Sequence, residues 1–387
     1  MKQLKYLIRL IKNIVLLLIN YPLSIFIKKL TNSFDNQNYI LIVKPDNLGD
    51  YILFRNFFPY IKEYYKEKKI IYCGNIVCKD IAEELDSTFI DEFIWFDKHK
   101  FKRNIAYKIK TLLNINKYSY EIALYPVLTR EFFVGDIIMK SVNANSKNTS
   151  KTLDCYMLRF LQNISQKYIY DKIIDIDEAV IFEFYRNKSF VEKFLNCKIE
   201  IDKPKLSLLP SNDKISESKY AILFIGGSEE FRRWETLNYI DVAKYINDKY
   251  HLKCLFCGLK SDLKKDIEFY KFDNYGINLI DKTNIMEFTK LVANAELLIT
   301  NDTVAQHIAV SVDTFCIVVS NGNDYGRFIP YPKEMTKKYS AVFHPEILNS
   351  NYTSENLKKR YGYTRSKLNI NDISVLAVTQ TIDKVLG

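Results

Sequence analysis

The chain has 387 residues, room for two to three domains at about 150 residues each, so it is not a small scaffold held by disulfides. Hydrophobic residues make up 48% and charged residues 26%, which excludes a chain too polar to fold. Lys and Arg number 56 against 46 Asp and Glu, a formal charge of +10, and this excess favours an anionic partner: nucleic acid, a phosphorylated substrate or an acidic membrane surface.

The amino terminus stands apart. Leu4, Leu7, Ile8, Ile11, Ile14, Val15 and Leu18 recur at spacings of three and four, with Lys2, Lys5, Arg9 and Lys12 between them, the pattern of a basic amphipathic helix. The longest charge-free stretch, 13–27, is interrupted by Asn20 and Pro22 and closed by Lys28 and Lys29. It falls short of the roughly 20 apolar residues that span a bilayer, and no small-residue cleavage site follows it. Residues 1–32 are therefore expected to lie in the plane of a membrane. A full span and a helix packed on the protein's own core are the alternatives.

From residue 39 short apolar runs alternate with helical spacing. Strands are expected at 39–43, 69–73, 89–96 and 120–125, with helices at 51–65, 76–85 and 99–114. A less regular stretch follows. Two prolines and a polar run over 203–219 mark a connection. The pattern then restarts, with strands at 221–225, 253–257, 277–280, 297–300 and 315–319 and helices at 236–249, 284–294 and 303–311. Asn284 and Glu287 have capping-box spacing. Alternation of this kind predicts two doubly wound α/β domains, 33–200 and 201–387, the second ending in a helix, with a ligand cleft at the carboxyl ends of the strands between them. The seven cysteines are odd in number and scattered, which fits a reducing cytoplasm. Cys254 and Cys257, three apart on a strand, point to opposite faces and are expected in core packing. No metal site is expected from four histidines without a Cys/His cluster.

Three loops follow strands. In Asp46-Asn47-Leu48-Gly49-Asp50, Gly49 allows a tight turn and Asp50 sits at a helix amino terminus, where it serves as a cap or as a reactive carboxylate. Gly226-Gly227-Ser228, followed by Arg232-Arg233-Trp234, offers backbone N–H groups and two guanidinium groups to a phosphate, or forms a solvated surface turn. In Asn301-Asp302-Thr303-Val304-Ala305-Gln306-His307, Thr303 can offer its hydroxyl and N–H to an anion. His307 lies one helical turn on, as a ligand contact or a packed, hydrogen-bonded residue.

Taken in order, 40–50, 226–228 with 232–234, 255–258 and 298–307 resemble glycosyltransferase family 9, the heptosyltransferase family of lipopolysaccharide core assembly. The resemblance covers roughly residues 39–330. It implies two Rossmann-like domains in the GT-B arrangement, the acceptor in the first and a sugar nucleotide, ADP-heptose being the family's best-known donor, in the second. It further implies inversion at the anomeric carbon without a metal or other cofactor. Asp50 is then the base for the acceptor hydroxyl, its charged form favoured by the helix dipole. Gly227, Ser228, Arg232, Gly258, Asp302, Thr303 and His307 would contact the donor. Asn47 and Arg130 are acceptor-side candidates by position alone. Val304 stands where members usually carry glycine, and Arg232 where lysine is common. Asp175-Ile176-Asp177 matches an Asp-x-Asp metal motif but lacks its context.

These readings give an inverting glycosyltransferase acting on a lipopolysaccharide-type or lipid-linked acceptor, peripheral on the inner face of the cytoplasmic membrane. A sugar-nucleotide epimerase and a non-catalytic sugar-nucleotide-binding protein are the alternatives. Nucleic acid is the least favoured partner, because the basic residues are dispersed and no recognised binding motif accompanies them.

Overall fold

The structure is a computed structural model. It describes residues 2–31, 38–152, 157–179, 181–207, 219–263, 272, 274–349, 351 and 353–387; most of the expected connection at 203–219, and Cys155, lie outside them. The chain divides into two units, one of residues 1–180 and 186–199, the other of 181–185 and 200–387.

The first unit runs α1 (Lys2–Leu30), β1 (Tyr39–Lys44), α2 (Leu48–Arg55), α3 (Phe58–Tyr64), β2 (Lys69–Asn75), α4 (Lys79–Asp86), β3 (Glu92–Phe96), α5 (Lys98–Arg103), α6 (Ile105–Ile115), β4 (Tyr120–Tyr125), α7 (Ile137–Ser141), β5 (Ala144–Ser150), α8 (Arg159–Tyr168), β6 (Lys172–Ile174) and α9 (Glu183–Leu195), whose first turn belongs to the second unit. Its strands are parallel in the order β3-β2-β1-β4-β5-β6. Ile40 to Lys44 are all buried, as a parallel sheet covered on both faces requires.

Several expected elements change shape for local reasons. The helix expected over 51–65 is two helices, because Pro59 opens the second one, a position that suits its missing N–H. The helix expected over 99–114 breaks at Asn104, whose side chain accepts from the Tyr107 N–H and caps α6. Strand β5, with the sequence Ala-Asn-Ser-Lys-Asn-Thr-Ser, has no apolar alternation and was not expected. Residues 147–150 are buried all the same, because side chains there find backbone carbonyls: Thr149 donates to Tyr125 at 2.8 Å, Ser150 to Val127 at 2.9 Å and Lys147 to Met139 at 2.6 Å. Buried polar groups so paired cost little.

Residues 2–31 do not form a unit of their own. Helix α1 runs unbroken through Pro22, and its second half is part of the first unit rather than a separate segment. Asn20, Ser24 and Ile27 are buried, Lys108 donates to the Asn20 side chain and Asn143 to the Lys28 carbonyl. Residues 6–30 are long and apolar enough to cross a membrane, with a mean hydropathy of 1.9 over an 18-residue window.

The second unit runs β7 (Tyr220–Phe224), α10 (Thr236–Tyr250), β8 (Lys253–Cys257), β9 (Gly276–Asn278), α11 (Ile285–Ala293), β10 (Leu297–Asn301), α12 (Val304–Ser311), β11 (Phe315–Ser320), β12 (Tyr339–Phe343), α13 (Pro345–Leu348), α14 (Ser354–Tyr361) and α15 (Val375–Leu386). The parallel order β12-β11-β10-β7-β8-β9 is, counted within the unit, that of the first sheet read from its other edge. Both are the 3-2-1-4-5-6 order of Rossmann-like folds, whose switch point falls between the first and fourth strands. The capping box at Asn284 and Glu287 forms as expected. Cys254 and Cys257 are both buried, and burial pushes each thiol up to about 12.

Candidate functional site

In the second unit the switch point lies between β7 and β10. Two of the predicted loops leave these strands at their carboxyl ends, and the structure brings their residues together. Arg232 joins them: its Nη2 donates to Ser228 Oγ at 2.8 Å and its Nη1 stands 3.6 Å from Asp302 Oδ2. Behind this contact Asn301 is fully buried and acts as a clamp. Its amide donates to the carbonyls of Ile225 and Gly226 at 3.2 and 2.9 Å, and its oxygen accepts from the Trp234 N–H at 3.0 Å. One side chain thus fixes both loops, a positioning role that its place in the third loop did not signal.

Asp302 is 5% exposed. Gln306 donates to its Oδ1 at 2.5 Å, while Oδ2 and the Arg232 Nε are buried without a hydrogen bond. Burial pushes the Asp302 carboxyl up to about 6 against the pull of Arg232. Unsatisfied buried polar atoms cost of order 1–3 kcal/mol each, so the pair is left short of partners at the strand ends, as expected where a polar ligand completes the set.

The two arginines separate in role. Arg233 is committed to the protein, its Nε donating to Gly227 O at 2.6 Å and its Nη2 pairing with Asp262 at 2.9 Å. Of the two, Arg232 is the one with an unpartnered guanidinium nitrogen, Nε. Asp262, not singled out in the sequence, abuts Gly226 and helps hold the turn. Gly258 ends β8 beside this loop with φ +144°, and a Cβ there would meet Ile225 at 3.0 Å, so glycine is required.

Thr303 caps α12: its hydroxyl accepts from the Ala305 N–H and lies 3.1 Å from the Thr300 hydroxyl. That oxygen serves the helix, while the helix amino terminus itself, with half-buried Val304 as its first residue, is an electropositive end beside Arg232 and Asp302. His307 is 4% exposed, its Nδ1 lies 2.7 Å from the Tyr331 hydroxyl, and its ring packs on Phe328 and Tyr331. Burial pushes it down to about 3, so it is neutral near pH 7 and brings no charge to an anion.

An open cavity of about 900 Å³ adjoins the same turn, lined by Phe231, Arg233, Trp234, Asp262, Arg365 and Lys367 among others. The Arg365 guanidinium lies 4.1 Å from the centroid of the Phe231 ring.

The first unit carries its own switch-point cluster. Asp50 is half-buried in the first turn of α2, which begins at Leu48, three residues earlier than expected, with exposed Asn47 as N-cap. Lys44 is sealed under the Phe54 ring and pairs with Asp46 at 2.7 Å. Lys98, first residue of α5, pairs with Glu131 at 2.7 Å, and Lys102 pairs with the same carboxylate. Burial would lower the Lys98 ammonium, but Glu131, with Asp46 and Asp50, outweighs it and raises it. Lys98 thus lies within electrostatic reach of Asp50, a neighbour the sequence did not reveal.

Arg130 is corrected. It points inward, its side chain wholly buried, pairs with Asp136 at 3.1 Å, donates to Ser165 at 2.9 Å and covers the Tyr170 ring. A guanidinium in that position braces the fold and cannot reach an acceptor. Asp175 and Asp177 are exposed, the former 3.8 Å from Lys151. Among the described residues no three His, Cys, Asp or Glu side chains converge as a metal site would require.

Among curated proteins, a DNA-directed RNA polymerase subunit beta of Theileria parva is 25% identical over 277 residues, 70% of this chain. The chain spans about a quarter, 24%, of the length of that relative. Among solved structures, a family 9 glycosyltransferase of Veillonella parvula DSM 2008 aligns over 92% of this chain and 99% of its own, with a TM-score of 0.65 and 17% identity. The E. coli heptosyltransferase WaaC with ADP aligns over 89% and 99%, at 0.66 and 13% identity. E. coli ADP-heptose lps heptosyltransferase II aligns over 90% and 98%, at 0.63 and 13%. Likeness at such identities is likeness of fold. Residues 182–346 match the family model of glycosyltransferase family 9 (heptosyltransferase), so that segment is similar to family 9 and lies in a chain with the fold of these solved structures.

Proposed function

We propose that the protein is an inverting, metal-independent glycosyltransferase that moves a sugar from a sugar nucleotide to a lipopolysaccharide-type or lipid-linked glycan. The observation that carries this is the convergence of Ser228, Arg232, Asp302 and the amino terminus of α12 at the switch point of the segment similar to family 9. Arg232 and the helix end would take up the charge of the departing diphosphate. Asp50 would remove the proton of the acceptor hydroxyl as that oxygen bonds to the anomeric carbon and the bond to the diphosphate breaks. ADP is bound in one solved relative of the same fold and ADP-2-deoxy-2-fluoro heptose in another, which supports an ADP-linked heptose as the first donor to try. With no converging metal ligands among the described residues, turnover should persist in chelator. The basic, apolar α1 supports a peripheral place on the inner face of the cytoplasmic membrane.

Asp50→Ala tests the assignment. Transfer should fall by roughly 10²–10⁴-fold, the usual worth of a general base, while donor binding, read by thermal stabilisation, stays near the wild-type value. Transfer that survives in the variant removes Asp50 as the base.

A further inference from the structure

Helix α1 turns its more apolar side away from the protein. Leu4, Leu7, Ile8, Ile11, Ile14, Val15 and Leu18 form one outward stripe, 41–69% exposed, and Phe26 extends it at 61%. The side against the first unit carries Asn20 and Ser24 beside Leu17, Tyr21 and Ile27. A helix on a water-washed surface has the opposite polarity.

The margin of this stripe is basic and aromatic. Lys140 on α7 holds its ammonium 5.0 Å from the Tyr21 ring centroid and donates to the Tyr168 carbonyl at 2.8 Å. The Lys167 ammonium stands 5.2 Å from the centroid of the exposed Tyr168 ring. Lys28 adjoins them through its carbonyl bond to Asn143, and burial followed by the charges of Lys28 and Lys140 pushes Lys147 down to about 7. Residues 1–30 contain six basic residues and no acidic one. Long cationic side chains and tyrosines are the groups that sit at the level of lipid headgroups.

We propose that the first unit docks on an anionic bilayer through a composite face. The stripe of α1 lies in plane among the acyl chains, with Lys28, Lys140, Lys167 and Tyr168 at the headgroups. The proposal deepens the membrane reading above and rests on it. A transmembrane course would draw Asn20, Ser24 and the bond from Lys108 into hydrocarbon, where such groups are costly. In plane, they stay against the protein.

Co-sedimentation of the full chain with vesicles of phosphatidylcholine, alone or mixed with phosphatidylglycerol, tests this. The wild type should bind the mixed vesicles more tightly. Replacing Lys140→Ala and Lys167→Ala together should weaken that binding by about 25-fold, about fivefold per lost charge near the surface, with little change on neutral vesicles. Lys140→Arg with Lys167→Arg should restore it, separating charge from folding. A double alanine variant that binds anionic vesicles like the wild type overturns the composite face while leaving the membrane reading intact. Wild type that stays in the supernatant with every vesicle overturns both. So does a stripe that forms a dimer, dispersed by Ile11→Ser, in place of vesicle binding.

Discussion

The contact of Arg232 with Asp302 leaves buried polar atoms short of partners. The folded protein holds a proton on Asp302 more tightly than the unfolded chain does, with a value near 6. Stability from this group is therefore fully present at low pH and is lost as pH rises from about 4 through about 6, by up to about 3 kcal/mol. Asp302→Asn should flatten the thermal-unfolding midpoint against pH across that window relative to the wild type; an unchanged slope would place the carboxyl in water. Arg232→Ala should weaken nucleotide binding by roughly tenfold or more, as loss of a charge-assisted contact does. Arg233→Ala should act chiefly on stability, through the Gly227 turn and Asp262. The sequence made these two arginines alike. Their difference rests on direction, which spacing alone does not supply, and the same gap put Arg130 at the acceptor when it is buried on Asp136.

At the scale of elements, legibility followed the source of each element's burial. Strands β1, β7, β8 and β10 are apolar runs ending in glycine or a charged turn, and both their positions and their loops could be read. Helix α11 declared its start through Asn284 and Glu287, and both bonds of the capping box form. Asn284→Ala should cost about 1 kcal/mol, read as a fall of roughly 2–4 °C in Tm. Strand β5 was invisible because its burial depends on Thr149, Ser150 and Lys147 reaching carbonyls contributed by Tyr125, Val127 and Met139, residues distant enough in sequence that no local period encodes them. Thr149→Val keeps the shape and removes the donor, and should cost about 1 kcal/mol by deleting one hydrogen bond to the Tyr125 carbonyl, which keeps its bond from the Val127 N–H. Edge strand β6, three residues long, was too short to show a period at all.

At the scale of the molecule, the two sheets repeat one strand order, and each places its candidate loops at its own switch point. That much followed from alternating apolar runs and helices, because a parallel sheet leaves few ways to connect them. The charge is less evenly shared. Residues 1–30 carry +6 of the +10, and Lys2–Leu30 form a helix that shows its apolar side outward rather than to the protein it packs on. The central claim is sugar transfer, and the most direct measurement is release of nucleoside diphosphate from a sugar nucleotide with and without a lipid-linked acceptor. The account predicts release that depends on the acceptor, persists in chelator and is lost in Asp50→Ala. Turnover of the sugar nucleotide without any acceptor, or tight binding of both substrates with no release, would contradict it.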